Sequence, residues 1–345
     1  MQRSFRTFRS SEPAMNKDDP RLPQEIERSI FKMVASDAGC NIKRMAKLML
    51  VAKRVCEWIR PILYEVFFQS SVFPSSAGFP DLEQHPEFLK DVGKFAKHLF
   101  IGSPTKIEDI NDLLLSCPNV KNVALWHSLS EGFHSIQPYL EVLRGLPLKR
   151  LSSSLRGLQL QDLQKAPFLN LTHFDIRDFA SAFWNQITVL PTLPNLTHVC
   201  ISAIIGVGRT IDLLLRGRNL RLLVILGEKD IDCYSETDEG LKDTRLVLMM
   251  YPEQGVYYDV MALDWEHGAR GGIDFWVVAE RYSMARQSKF LLDNSQRWIP
   301  WAIQWAEELN VPGQEWYSTL LPRFPEYPAL DVIYYDTCSC QRLAG

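Results

Sequence analysis

Between residues 21 and 68 nearly every apolar position falls at helical spacing. Ile26, Ile30 and Val34 recur at steps of four with Phe31 beside them, which predicts one helix with an apolar stripe. Pro23 stands at its start, where a missing N–H costs nothing. Met45, Leu48, Met49 and Ala52 predict a second helix, and Val55, Trp58, Ile59 and Ile62 a third, with Pro61 bending or restarting it. Lys53 and Arg54 mark the solvent side.

The rhythm changes after residue 68. Residues 69–94 are interrupted by Pro, Ser and Gly and read as a linker. From there, strands of the form apolar-x-x-apolar-x-apolar start at Ala96, Val120, Leu148, Leu171, Leu196, Leu220 and, more weakly, Thr244. The steps are 24, 28, 23, 25, 24 and 24 residues, a spacing that signals a solenoid. Residues 170–176 and 195–201 match at five of seven positions. Helix-like segments lie between the strands, so each unit is one strand and one helix.

Six of the nine tryptophans lie beyond residue 260. Phe275, Val278, Ala279 and Tyr282 predict one helix, Trp298, Trp301, Trp305 and Leu309 another, and residues 329–336 a late strand. The expected fold is therefore α/β: a disordered lead (1–20), a helical module (21–68), a linker (69–94), a solenoid (95–260) and a Trp-rich C-terminal cap (261–345).

The helical module resembles an F-box of the fungal type. Leu22-Pro23, Glu25-Ile26 and Ile30-Phe31 match its opening pairs, and Leu50, Val51, Lys53 and Arg54 its Leu-Val-x-Lys-Arg. The match departs between Asp37 and Met45, and Val55 stands where an aromatic is usual. The repeats resemble leucine-rich repeats, which such proteins often carry, but lack the Asn or Cys expected after each strand; Phe179 and Ile204 stand at two of those places. The resemblance implies a non-catalytic substrate receptor of a Skp-cullin-F-box ubiquitin ligase, cytoplasmic or nuclear. Leu22, Pro23, Ile26, Ile30, Phe31, Val51 and Trp58 would contact the Skp-type adaptor or support that contact, and the repeats would hold a protein target. The alternative is a scaffold in which the helices only cap the solenoid's open end.

Composition narrows the partners. A net charge of −3 and a pI near 6.2 offer no general field for nucleic acid. No apolar run is long enough to span a membrane. Seven scattered cysteines suit a reducing compartment, and Cys338 with Cys340 lacks a second ligand pair for a metal. Nucleophile elbows, phosphate loops and paired-His metal motifs are missing from the sequence, so no metal or cofactor is expected. Gly206-Val207-Gly208 lacks the third glycine of a dinucleotide fingerprint, and the acid-rich residues 228–240 lack the glycine of a calcium loop. Asp264, Glu266 and His267 are expected in a surface turn; together they offer the weaker reading of an enzyme.

The third and fifth positions of each repeat strand should share one face. That face would carry Asn122 and Ala124, Arg150 and Ser152, His173 and Asp175, His198 and Cys200, then Leu222, Val224, Leu246 and Leu248. Arg150, His173, Asp175 and His198 form its polar part and are the expected target contacts. The Trp-rich segment is expected to fold over the four apolar residues.

Overall fold

The computed structural model describes residues 22–37, 42–69, 86–102, 107–126, 136–177, 184–202, 208–227, 242–251, 257–293, 298–299 and 303–320. The expected lead, the acidic stretch 228–240, the Gly206-Val207 pair, Trp301, the late strand at 329–336 and Cys338 with Cys340 lie outside the described residues.

Helices α1 (Gln24–Asp37), α2 (Ile42–Met49) and α3 (Lys53–Leu63) lead directly into strand β1 (Val66–Gln69). Strand and helix then alternate. Helix α4 (Leu89–Phe95) precedes β2 (His98–Ile101), α5 (Ile107–Ser116) precedes β3 (Asn122–Leu125), and α6 (Leu140–Arg144) precedes β4 (Arg150–Ser153). Further along come α7 (Leu160–Leu163), β5 (His173–Ile176), α8 (Trp184–Ile187), β6 (His198–Ser202), α9 (Gly208–Leu215), β7 (Leu222–Gly227) and β8 (Leu246–Met250). Helices α10 (Tyr257–Ala269) and α11 (Phe275–Gln287) separate β8 from β9 (Trp298–Ile299), and α12 (Val311–Leu320) follows.

The strands form one parallel nine-stranded sheet in sequence order, so each lies beside its predecessor and its successor. His98, Asn122, Arg150, His173, His198 and Leu222 are aligned in register. The seven motif starts thus become β2 to β8, with β1 and β9 added at the two ends.

Four expectations are corrected. The end of the supposed linker is α4, whose Val92 and Gly93 are buried. A Cβ on Gly93 would lie 2.2 Å from the Ser116 carbonyl oxygen, so only glycine lets α4 approach α5 this closely. The helix expected from Trp298 is instead the short strand β9 followed by a 3₁₀ turn at Ile303–Glu308. Asp264, Glu266 and His267 are not in a surface turn but inside α10, with Asp264 and Glu266 buried. In β8 the register slips by one: Val247 and Met249, not Leu246 and Leu248, face the same way as Val224.

That slip matters because the sheet has two buried faces. Leu99, Val123, Leu151, Phe174, Val199, Leu223 and Leu246 belong to one core with helices of the repeats and with α2 and α3. Phe68, Phe100, Cys200, Leu222, Val224 and Val247 belong to a second core with α10, α11 and the chain beyond them. A parallel sheet covered on both faces buries consecutive residues, as β3, β6 and β7 do throughout. The Trp-rich segment thus covers Leu222 and Val224, as the sequence predicts, whereas Leu246 and Leu248, expected beneath it as well, are buried in the first core instead. It covers the polar part of that face too.

The repeated Asn-Leu-Thr-His has a structural role at the entry to β5 and β6. Thr172 Oγ1 donates to the Lys149 carbonyl at 3.0 Å, and Thr197 Oγ1 to that of Thr172 at 3.0 Å. Asn195 Nδ2 donates to Leu169 O, and Asn219 Nδ2 to Pro194 O, each one repeat earlier. The stitching asparagine stands before the strand rather than after it.

Candidate functional site

Two sets of residues bear on function: the outer face of α1 and the polar middle of the covered sheet face. In α1 the first turn is set by Pro23, whose carbonyl accepts from Ile26 and Glu27 N–H at 3.0 Å each. Glu25 and Glu27 in that turn oppose the positive end of the helix dipole.

The expected single stripe divides between two faces. Phe31 and Ala35 turn inward, where Phe31 packs 6.4 Å from buried Trp58. Ile26, Ile30 and Met33 turn outward, 49%, 42% and 61% exposed, beside Leu22 at 58%. The turn between α2 and α3 leaves Leu50 85% and Val51 62% exposed. Arg54 Nε and NH2 donate to the two oxygens of Glu27 at 3.1 and 2.7 Å, which sets this turn beside the start of α1.

Scattered exposed leucines need no explanation, but grouped ones on adjoining elements mark an interaction surface. Of the expected adaptor residues, Leu22, Pro23, Ile26, Ile30 and Val51 are exposed, Phe31 is half-buried, and Trp58 supports the helix from inside. Met33 and Leu50 join the patch; Met33 was legible as the i+7 partner of Ile26. Meanwhile Ile42, Met45, Val55 and Ile59 are buried in the core shared with the first repeats.

Arg150, His173, Asp175 and His198 do come together on one sheet face, but under α11. The His173 and His198 rings stack 4.1 Å apart at 4°, and Trp276 meets both edge-on. Each Nδ1 lies within hydrogen-bond distance of the preceding threonine hydroxyl, 2.9 and 2.7 Å. His198 Nε2 lies 2.8 Å from Glu280 Oε1, and that hydrogen bond pulls the Glu280 carboxyl below its ordinary range. Burial, helped by Arg150 and His198, pushes the His173 ring down to about 2, so it is neutral. Arg150 NH1 reaches Asp274 Oδ2 at 3.3 Å, while Asp274 Oδ1 accepts from Val277 N and caps α11.

Asp175 lies deeper. Ser152 Oγ donates to its Oδ2 at 2.6 Å and accepts from Trp126 Nε1 at 2.7 Å. Arg177 pairs with the same carboxylate, and its guanidinium sits 4.0 Å from the Trp126 ring centre. Asp175 and His198 are buried, so neither lies on an open surface. Glu280 and Asp274, which hold α11 to this face, carry no sequence signal that pairs them with strands more than a hundred or eighty residues away.

Elsewhere on α11's side of the sheet, Glu266 in α10 is pushed above its ordinary range by burial and holds Arg270 at 2.8 Å. It is an ion pair of the core rather than a solvent-facing acid. Among the described residues no helix is long and apolar enough to cross a membrane. The chain matches no protein-family model, and no curated protein matches it.

Proposed function

We propose that this protein is a substrate receptor of a cullin-RING ubiquitin ligase, with α1 to α3 as an F-box-like module that docks on a Skp-type adaptor. The observation that carries the reading is the outward stripe of α1: Ile26, Ile30 and Met33 remain exposed although the helix already packs half-buried Phe31 and buried Ala35 against the core. A helix that only closed a core would have no use for a second apolar face. Helix-in-groove recognition uses such i, i+4, i+7 anchors.

The sequential parallel sheet, with a helix in nearly every crossover, supports the likeness of the rest of the chain to leucine-rich repeats. Burial of Met45, Val55 and Ile59 in the first repeats' core supports a capping role as well. The two roles use opposite sides of the module and are compatible. Ubiquitin chemistry in this reading belongs to other subunits, and the chain itself supplies no catalytic group.

The test is titration calorimetry of the full chain against the purified adaptor, because residues 1–70 alone would expose the inner face of α2 and α3. Ile30→Asp is expected to abolish binding while leaving the circular dichroism spectrum unchanged. Absence of binding by the parent would leave the module as a cap and the protein as a repeat scaffold.

A further inference from the structure

The entry edge of the sheet carries a charge pattern that neither the adaptor site nor the covered face uses. Lys97 and His98 N–H donate to the Glu65 carbonyl, Lys121 and Asn122 to that of Lys97, and Lys149 and Arg150 to that of Lys121. Thr172 follows on Lys149, Thr197 on Thr172, and Arg221 on Thr197, by the same relation. These residues therefore occupy one position in successive strands, about 4.8 Å apart.

The first step of this row joins opposite charges: Lys97 Nζ lies 2.8 Å from Glu65 Oε1. Side chains at this position thus reach their neighbours. The next two steps set Lys121 beside Lys97 and Lys149 beside Lys121, an arrangement that is unfavourable between adjacent strands. Lys121, Lys149 and Arg221 are exposed, and none has an ion-pair partner within 4.0 Å among the described residues, although Arg221 lies near enough to Glu280 to help lower its carboxyl. Arg150, whose side chain is 38% exposed, adds a cation whose only ion pair among the described residues is the 3.3 Å contact with buried Asp274.

The two histidines bordering this edge add no charge to it. Burial is the main cause that lowers His98 to about 4 and His173 to about 2; Arg150 adds to both, while Glu65 opposes the shift at His98. The excess cations are local, since the whole chain is net −3.

We infer that the strand-entry edge from Lys121 to Arg221 binds an acidic segment of a partner protein, laid across the strands with its carboxylates against Lys121, Lys149 and Arg221. Four strand spacings make about 19 Å, which about six residues of extended chain would span. Thr172 and Thr197 fill the middle of the row, and their hydroxyls are already turned to backbone carbonyls. The charged ends of the row thus hold the segment, and its middle sets only spacing. This inference is independent of the adaptor reading.

The test is fluorescence anisotropy of the full chain with a labelled poly-glutamate peptide of about a dozen residues, longer than the row. Saturable binding that weakens with added salt is expected, with a poly-glutamine peptide inert. Lys121→Glu with Lys149→Glu should weaken binding at least ~tenfold. Lys43→Glu with Lys47→Glu, the same charge change on exposed positions of α2, should leave affinity within about twofold. No saturable binding to the parent, or equal loss in both double variants, would overturn the proposal. Adaptor titration of the same variants reports separately on α1.

Discussion

Leu222 separates an open sheet face from a closed one. It stands on the face that the sequence alone would display to a partner, in register with His198 and 1% exposed beneath α11. Replacing it with Ala removes three carbons, about 2.4 kcal/mol at 0.8 kcal/mol per buried CH₂. The unfilled volume adds to this, because neighbours held in two packed layers collapse only partly, so a total of about 3–5 kcal/mol is expected. On an open face the same change would cost about 0.5 kcal/mol or less. Leu115→Ala supplies that reference, since Leu115 is 64% exposed. Urea denaturation followed by tryptophan fluorescence reads the difference as a lower midpoint at unchanged slope. A Leu222→Ala midpoint equal to that of Leu115→Ala would refute the burial of this face by the C-terminal helices.

Two more predictions concern the polar middle of that face. Asp175→Ala leaves the buried Arg177 guanidinium without its carboxylate, so a loss of about 3–5 kcal/mol is expected by urea denaturation. A cost under about 1 kcal/mol would mean that water reaches Arg177. Because His98 and His173 protonate more readily unfolded than folded, stability should fall as pH drops below about 6.5, the unfolded value. The His98 part of this loss ends near pH 4, whereas that of His173 continues toward about 2. Each ring contributes about 1.6 kcal/mol between pH 6.5 and 5, while Glu266 and Asp274, raised by burial, act in the opposite sense. The comparison that isolates the rings is with a variant carrying Gln at both positions; the same pH dependence in parent and variant would refute the assignment.

The histidine row, the ion pairs under α11 and the lysine row all follow from one alignment of strands. Its spacing was legible because each repeat must return the chain to the same place in the sheet, which keeps Ala96, Val120, Leu148, Leu171, Leu196 and Leu220 at near-constant intervals. In β8 the signal weakened. Arg245-Leu246-Val247-Leu248-Met249 is apolar at four successive positions, and a strand buried on both faces has no polar alternation to fix its phase. Phe67 and Phe68 were equally ambiguous, because a short apolar run after a helix reads as helix or strand alike.

What the sequence by itself determined is local and periodic: three N-terminal helices, a strand every 23 to 28 residues, the alignment of His173 with His198, and the helix beginning at Phe275. What only the tertiary structure decided is which apolar surface is spent on the core and which is left over. Ile30 and Phe31 are neighbours of equal hydrophobicity, and only the position of Trp58 turns one inward and the other out. His198 reads as a surface residue until Glu280 arrives from α11. Periodicity records the geometry of one element, whereas burial depends on partners distant in sequence.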